Sequence, residues 1–413
     1  MKKYLFIILF LFPNFVAFSQ NSIEIIEESK NKEFKLVTIS AEPALRFYNL
    51  MNYLENKSNQ GFNYKQVDRQ SRRDNYKANI NDKKIQGMID SLLSLPVYEA
   101  ISEVSRIYNK YGISVKKGKK TYRDAFNNLP IYCVAMNAGR PYTWVEYWIK
   151  DYKKEMFTIV DYVQKNGNKI IEYSIQQSKQ LLPAECNLNI GVDVFIVFDG
   201  NRGSFQKNNM IILDLMNKNL YDTVTFQNVL THELHHRYYG EWLDKKLSGK
   251  KRDNKHKILL MLQESFLMEG VAQQYTISSY NNQALELLYN RELMKEINDE
   301  WISSIREINA SSFPKMSSVR IIRKQHSKEM QWLNNYCSKP VENETVQYRP
   351  SVIYYLSYHI YNSILEKKGL KGLFYVIENP DKLLSEYNSI YSEDLLIPMI
   401  PEDIVKLWAN NLE

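Results

Sequence analysis

The chain has 413 residues, of which 44% are hydrophobic and 24% are charged, and its formal net charge is +7. This length allows a large core without disulfides, and the charge is too small and too evenly spread for a nucleic-acid partner. The three cysteines, Cys133, Cys186 and Cys337, lie far apart and lack metal-ligand spacing, so cysteine-based metal or redox chemistry is not expected.

The first 19 residues predict a signal peptide. Two lysines precede an apolar run over residues 4–18, and Ala17 and Ser19 have the spacing that signal peptidase recognises. The run is too short and interrupted for a stable membrane span. We therefore expect removal of residues 1–19, export to the periplasm or the extracellular space, and a mature net charge of +5 once both lysines are removed. The alternative is an uncleaved N-terminal anchor.

Residues 20–185 form a predicted helical N-terminal region. From residue 43 to about residue 111, apolar side chains recur every three or four positions, with a break at Pro96. A second helical pattern covers residues 141–180. The region contains no motif that points to a function.

Residues 186–413 form a second predicted region, which begins with strand-like sequence patterns instead of helical ones. The segments "NIGVDVFIVFDG" and "MIILDLM" are rich in β-branched and apolar residues and are separated by turn residues, which predicts a hairpin of two strands. Helical patterns follow almost to the end of the chain. The predicted fold class is thus α+β and predominantly helical, in one module of two lobes that meet near residue 245.

The segment "NVLTHELHHRYYG" predicts a helix over about residues 225–239, with Thr225 as its N-cap and Gly240 as its stop. It holds three of the six histidines of the chain. The alternative to a metal site is an ordinary helix with surface or core histidines. His235 lies near the same face and is easily mistaken for a ligand.

Two of these histidines have the spacing of metal ligands. Four residues span about 400° of helical turn, so His232 and His236 lie roughly 40° apart on one face. Glu233 is rotated by about 100° and can stand beside a metal ion as a general base. A catalytic zinc site needs a third protein ligand and an open position for water.

The best candidate for that third ligand lies on a helix predicted over residues 257–276. Glu269 shares a mostly apolar face there, whereas Glu264 is turned about 140° away and is expected to face water. A buried carboxylate is costly unless a cation meets it, and zinc would do so. Gly270 beside it suits a close approach of another helix. The alternative is an acid that reaches the surface next to a packing glycine.

The motif H-E-x-x-H followed on a second helix by "MEGVAQQY" resembles the gluzincin zinc metallopeptidases, in particular their aminopeptidase branches. The resemblance implies a zincin-like catalytic module that binds one zinc ion per chain. It makes His232, His236 and Glu269 the zinc ligands and Glu233 the general base. It also implies that "MIILDLM" is the edge strand along which a peptide substrate lies.

The resemblance is strong over residues 190–280 and has departures. His236 and Glu269 are separated by 32 residues, the gap being longer than in the well-known branches. Gln273 stands where thermolysin-like enzymes have an aspartate, and an exopeptidase motif G-x-M-E-N is missing. The composition and the "FSQ" signal ending are similar to those of exported zinc-dependent peptidase families of Bacteroidota.

A C-terminal segment, "RPSVIYYLSYHIYNSILEKKG", predicts a helix that offers donors for the oxyanion of a tetrahedral intermediate. Tyr355 and His359 are four residues apart on one stripe, so either could reach into the active-site cleft. The alternative is simple packing, since the chain has 30 tyrosines.

The sequence thus predicts an exported zinc peptidase that acts on a peptide or protein substrate. Two alternatives remain: a zinc hydrolase of a non-peptide amide of the cell-wall type, and a non-catalytic binding protein on a degenerate peptidase fold. Glu233 favours an enzyme, because a binding protein has no chemical need for a general base. Oligomeric state and the choice between internal and terminal cleavage are not predicted.

Overall fold

The computed structural model describes residues 36–58, 79, 81–104, 153–198, 204–215, 217–248, 254–277, 288–310 and 352–413. The chain divides into two units, residues 1–36 and residues 37–413, and every described helix and strand lies in the second. The predicted signal peptide lies outside the described residues. Among the described helices, none combines the length and apolarity needed to cross a bilayer.

The described part of residues 36–185 is mostly helical and also contributes a strand. Its elements are β1 (Val37–Ser40), α1 (Glu42–Ser58), α2 (Lys83–Leu93), α3 (Pro96–Val104) and α4 (Lys153–Lys179). The break at Pro96 is confirmed: α3 begins at this proline, which fits the first turn of a helix because its missing N–H would be unpaired there. Strand β1 was not predicted, since four residues are too few to show an alternating pattern.

Four strands form one sheet in the order β1-β2-β4-β3. The three further strands are β2 (Val192–Val197), β3 (Phe205–Lys207) and β4 (Met210–Asp214). The pairs β1–β2 and β2–β4 are parallel, whereas β3 and β4 are antiparallel and joined by a two-residue turn. The predominantly helical α+β fold class is therefore confirmed.

The predicted hairpin is wrong in its pairing. The segments "NIGVDVFIVFDG" and "MIILDLM" do form strands, but β2 and β4 run parallel, and the hairpin is formed by β3 and β4. Strand β4 also lies inside the sheet rather than at its edge, and its residues 211–214 are all buried. Such a continuous apolar run is typical of an interior strand, while the short polar β3 suits an edge.

The described residues that follow β4 are mostly helical. Their elements are α5 (Thr223–Leu247), α6 (Asn254–Thr276), α7 (Arg291–Ala310), α8 (Val352–Glu378), α9 (Leu383–Ser389) and α10 (Glu402–Leu412), with 3₁₀ turns at Lys218–Tyr221 and Pro380–Lys382. Helix α6 packs against both α5 and α8. This arrangement places the two predicted ligand helices side by side, with α8 behind the second.

The boundaries predicted for α5 need correction. Asp222, rather than Thr225, caps the helix, and its carboxylate accepts a hydrogen bond from the backbone N–H of Thr225 over 2.7 Å. The helix also continues through Gly240 to Leu247. A Cβ placed on Gly240 would lie 3.1 Å from the terminal methyl of Met268 on α6. Gly240 is therefore a packing glycine at a helix crossing, and not a C-cap.

Gly270 is a second and tighter crossing point. A Cβ placed there would lie 2.4 Å and 2.6 Å from two ring carbons of Tyr361, and 3.0 Å from the Cβ of Ser357, both on α8. The predicted close approach at Gly270 is thus confirmed. Because both obstacles come from one neighbouring helix, any side chain at this position would push α6 and α8 apart.

We expect Gly270→Ala to lower the free energy of unfolding by about 2–3 kcal/mol, because overpacking a helix contact forces the neighbours to move. Gly87→Ala is the matched control: Gly87 is exposed on α2, a Cβ there meets nothing within 4 Å, and alanine favours a helix by roughly 0.5–1 kcal/mol. Urea unfolding of both variants in the presence of a chelator measures the two changes. Equal and small effects would contradict the close approach.

Candidate metal centre

Helix α5 carries His232, Glu233 and His236 in a buried stretch. Their exposed fractions are 7%, 7% and 9%, so none of the three is a surface residue. The two imidazole rings, one helical turn apart, have centroids 4.3 Å apart with their planes nearly perpendicular. The alternative of a helix with surface histidines is therefore excluded.

Helix α6 brings Glu269 to the same point. Its Oε2 atom lies 3.4 Å from Nε2 of His232 and 3.3 Å from Nε2 of His236. Among the described residues, one group of three potential ligands has its donor atoms within 4.8 Å of one another, and it consists of these three. The structure thus brings all three predicted metal ligands together.

The donor atoms are arranged as a metal ion requires. Nδ1 of His232 lies 3.0 Å from the backbone carbonyl of Ala272, so that nitrogen carries the proton and leaves the Nε2 lone pair for a ligand bond. Nε2 of His236 is buried and faces Oε2 of Glu269 over 3.3 Å. Two imidazole nitrogens and one carboxylate oxygen are the donor set of a catalytic zinc site, so these residues fit zinc.

The electrostatics also favour a cation at this point. Burial alone would raise the pKa of Glu269, but the two histidines outweigh burial and hold the pKa of this carboxyl well below its usual value. For His232, burial lowers the pKa, yet the hydrogen bond and charge of Glu269 raise it overall. An anionic carboxylate next to two buried imidazoles therefore needs a positive charge, either protons or a metal ion.

Glu269 is held in place by its own helix. Nε2 of Gln273, one turn further on, donates to Oε2 of Glu269 over 3.3 Å, and Oε1 of Gln273 accepts from the hydroxyl of Thr276 over 3.0 Å. Gln273 thus supports the carboxylate ligand, whereas a backbone carbonyl supports His232. A backbone acceptor of this kind has no signature in a sequence.

The second acid of α6, Glu264, lies away from the cluster. It is half-buried rather than fully exposed, so the predicted orientation toward water is only partly realised. Its side chain is not among the three clustered donors of the described residues. Glu264 therefore serves as the natural control for Glu269.

Glu233 is buried beside the two histidines. Burial raises the pKa of its carboxyl, and the positive charge of protonated histidines opposes this rise. The side-chain amide of Gln206, on edge strand β3, donates to the backbone carbonyl of Glu233. This contact fixes the edge strand against the turn of α5 that carries Glu233. Sequence reasoning missed Gln206, since no motif marks it.

His235 lies apart from the ligand set, on another side of α5. Its Nε2 atom lies 3.2 Å from the backbone carbonyl of Leu181, and its ring stacks on Tyr239 with a centroid distance of 5.4 Å. Burial lowers its pKa to about 3, so the ring is neutral at physiological pH. His235 is a core residue that joins α5 to the end of α4.

The predicted oxyanion donors on α8, Tyr355 and His359, lie on the side of this helix that faces away from Gly270. Ser357 and Tyr361 face Gly270, and His359 lies two residues from each, which places it on the opposite side of α8. Its Nε2 atom contacts the backbone carbonyl of Leu288 at 2.6 Å. Tyr355, one turn before, is buried on that same side. Their catalytic role remains a prediction that these contacts do not support.

Burial of His359 predicts an acid-sensitive step in stability. Burial lowers its pKa to about 4, below the value of 6.5 expected in the unfolded chain. Protonation therefore favours unfolding: this contribution is intact above pH 6.5 and is lost as pH falls from 6.5 toward 4. We expect the loss to reach about 3 kcal/mol at pH 4.

The variant His359→Gln keeps a donor for the carbonyl of Leu288 but cannot titrate. Its unfolding free energy should therefore fall less steeply between pH 6.5 and pH 4 than that of the unchanged protein. Urea unfolding at several pH values measures both slopes. Parallel slopes would show that His359 is not buried in neutral form.

Comparisons with known proteins agree with this centre. The model of a family described as "Putative zinc dependent peptidase (DUF5700)" matches residues 89–395, about three quarters of the chain. The matched segment includes every residue of the histidine and glutamate cluster. Neither a curated protein nor a solved structure matches the chain.

Proposed function

Because this chain belongs to the zinc-dependent peptidase family whose model covers residues 89–395, we propose that it is an exported hydrolase of peptide bonds. In this proposal His232, His236 and Glu269 hold one zinc ion, and Glu233 is the general base. The arrangement resembles that of the gluzincin peptidases, with both histidines on one helix and the glutamate on the next described helix.

The convergence of three donor atoms within 4.8 Å, from two separate helices, is the observation that carries the proposal. A chance cluster would not bury a carboxylate against two imidazoles, because buried polar groups cost free energy unless a cation or protons compensate them. A structural zinc site would use a fourth protein ligand, whereas the group found among the described residues has three, the number typical of a catalytic site.

Each residue of the cluster then has one task. A zinc ion bound by the three ligands would polarise the substrate carbonyl and lower the pKa of the attacking water toward neutrality. Glu233 accepts the proton of that water as its oxygen bonds to the peptide carbon. When the carbon–nitrogen bond breaks, Glu233 returns this proton to the leaving amine.

Edge strand β3 offers a place for the substrate backbone. It pairs with β4 on one side and is the outermost strand at its end of the described sheet. An extended peptide can add to such an edge through main-chain hydrogen bonds. Because Gln206 ties β3 to Glu233, a peptide on this edge would pass close to the general base. The edge strand is thus β3, and not "MIILDLM".

The proposed export rests on the first 19 residues, which have the charge, apolar run and small-residue spacing of a signal peptide. Fractionation of the native host with an antibody to the mature chain tests this point.

Digestion of an unbiased peptide mixture, followed by mass spectrometry of the new termini, tests the proposal. We expect cleavage by the zinc-loaded protein, loss of cleavage after chelation, and recovery when zinc is restored. A parallel incubation with cell-wall peptide fragments separates peptide bonds from other amides. If neither substrate is cleaved, the chain is a binding protein, and if only a non-peptide amide is cleaved, the substrate class is wrong.

A further inference from the structure

Within the buried stretch of the helix that carries the cluster, one residue reaches solvent. Of the ten residues from Leu230 to Tyr239, every one is buried except Arg237, whose side chain is 21% exposed. Arg237 follows Glu233 by one helical turn, so the two side chains lie on the same stripe of α5. On the C-terminal side of the general base, the nearest accessible surface of this helix therefore carries a positive charge.

That charge is only partly compensated. One guanidinium nitrogen of Arg237 lies 3.4 Å from Oε2 of Glu241, but the other carboxylate oxygen of Glu241 lies 3.0 Å from the ammonium of Lys245. Among the described residues, Arg237 and Lys245 thus share the carboxylate of Glu241. In addition, Nε of Arg237 is buried and has no hydrogen-bond partner among the described residues.

The hairpin of β3 and β4 fixes the position of this guanidinium. The Nη2 group of Arg237 donates to Oδ1 of Asn209 over 3.2 Å, and Asn209 belongs to the turn that follows β3. Asn208, the other turn residue, adopts a left-handed backbone with φ of 54°, as asparagine readily does. Strand β3 therefore passes Glu233 at Gln206 and reaches Arg237 at its end.

Together these contacts define the distance between Glu233 and Arg237 along the path of a bound peptide. One helical turn from Glu233 to Arg237 advances about 6 Å along α5, which equals about two residues of an extended peptide. A peptide on the edge of β3 with its scissile bond at Glu233 would present the side chain or end group about two residues away to Arg237. The guanidinium of Arg237, whose anionic partner Glu241 is shared with Lys245, favours a carboxylate there, because a carboxylate forms charge-assisted hydrogen bonds with a guanidinium group.

We infer that Arg237 forms a subsite for a carboxylate of the substrate, an acidic side chain or the chain terminus, about two residues from the cleaved bond. This inference rests on the proposed peptidase function and adds a substrate preference to it. Both carboxylate sources share the same chemistry, and the position of the bond that is cut tells them apart. Arg237 is a specificity residue here and takes no part in the bond-breaking step.

A matched peptide series tests the subsite. Each peptide of the series is a neutral host with one glutamate, placed at one of the positions within three residues of the cleaved bond. Its partner peptide has glutamine at the same position. Each pair is prepared with a free and an amidated C-terminus. We expect kcat/KM for one position of glutamate, or for the free terminus, to exceed that of its partner about fivefold to tenfold. The gain should fall as salt is raised.

Variants of Arg237 then show whether this side chain causes the carboxylate preference. Arg237→Ala should abolish the ratio, Arg237→Lys should retain part of it, and Arg237→Glu should make lysine preferred at that position. Lys245→Ala is the control: it removes an equal charge from the same helix and the same Glu241, two turns further on. An unchanged ratio in Arg237→Ala, or an equal loss in Lys245→Ala, would overturn the subsite.

Failure of the subsite and failure of the peptidase proposal give different results. Cleavage without any carboxylate preference overturns the subsite and leaves the peptidase proposal intact. If nothing is cleaved, fluorescence binding of the same peptides to zinc-loaded Glu233→Gln protein decides the matter: tighter binding of the acidic peptide that depends on Arg237 supports the subsite, and equal binding overturns it. Zinc content, which should be unchanged in all Arg237 variants, verifies that they fold.

Discussion

The variant Glu233→Gln should lose at least about 1,000-fold in kcat on a cleaved peptide while it keeps its zinc ion. Glutamine has nearly the same shape as glutamate, so the packing of this buried position is preserved. It cannot accept and return a proton, and it carries no negative charge beside the metal site. The effect should therefore fall on the chemical step and leave KM and zinc content almost unchanged.

Asp244→Asn provides the matched control for this variant. Asp244 lies on the same helix, is exposed, and undergoes the same exchange of an acid for an amide. It should retain full activity. Single-turnover kinetics and zinc content of the two variants decide the role of Glu233: undiminished turnover in Glu233→Gln means that another group is the base, and loss of zinc means that Glu233 supports the metal site instead.

The variant Glu269→Ala should bind zinc at least about 100-fold more weakly than the unchanged protein, because it removes the one anionic ligand of three. The two histidines alone give an incomplete coordination shell and leave an extra open position. Zinc also stabilises the folded chain in proportion to its binding, so the rise in melting temperature on zinc addition should shrink in the same variant.

Glu264→Ala separates the loss of a ligand from the loss of any acid on α6. Glu264 precedes Glu269 by five residues on the same helix, and it is absent from the clustered donors of the described chain. Competition with a chromogenic chelator gives both affinities. Zinc affinity that falls equally in the two variants, or that is unaffected by Glu269→Ala, would be incompatible with the three-ligand site.

The sequence predicted the candidate site better than the fold around it. His232 and His236 are four apart on a helix, and this spacing alone places both imidazoles on one face. Glu269 stood out because an acid on an apolar stripe requires a cation. Both inferences depend on local helical geometry, which a sequence pattern encodes directly.

Features that depend on pairing between distant segments could not be predicted in the same way. The parallel pairing of β2 with β4 belongs to a sheet that also contains β1, which begins at residue 37, far away in the chain. The glycine at position 240 has the same appearance in a sequence whether it ends a helix or admits Met268. The support of His232 comes from the backbone carbonyl of Ala272, an acceptor that every residue has.

The zinc content of the purified protein, measured by plasma mass spectrometry beside the double variant His232→Ala/His236→Ala, tests the central claim most directly. The account predicts about one zinc ion per chain in the unchanged protein and none in the double variant, with the Glu264→Ala variant equal to the unchanged protein. A chain that holds no zinc even after refolding with the metal, or a double variant that retains it, would contradict the proposed metal centre.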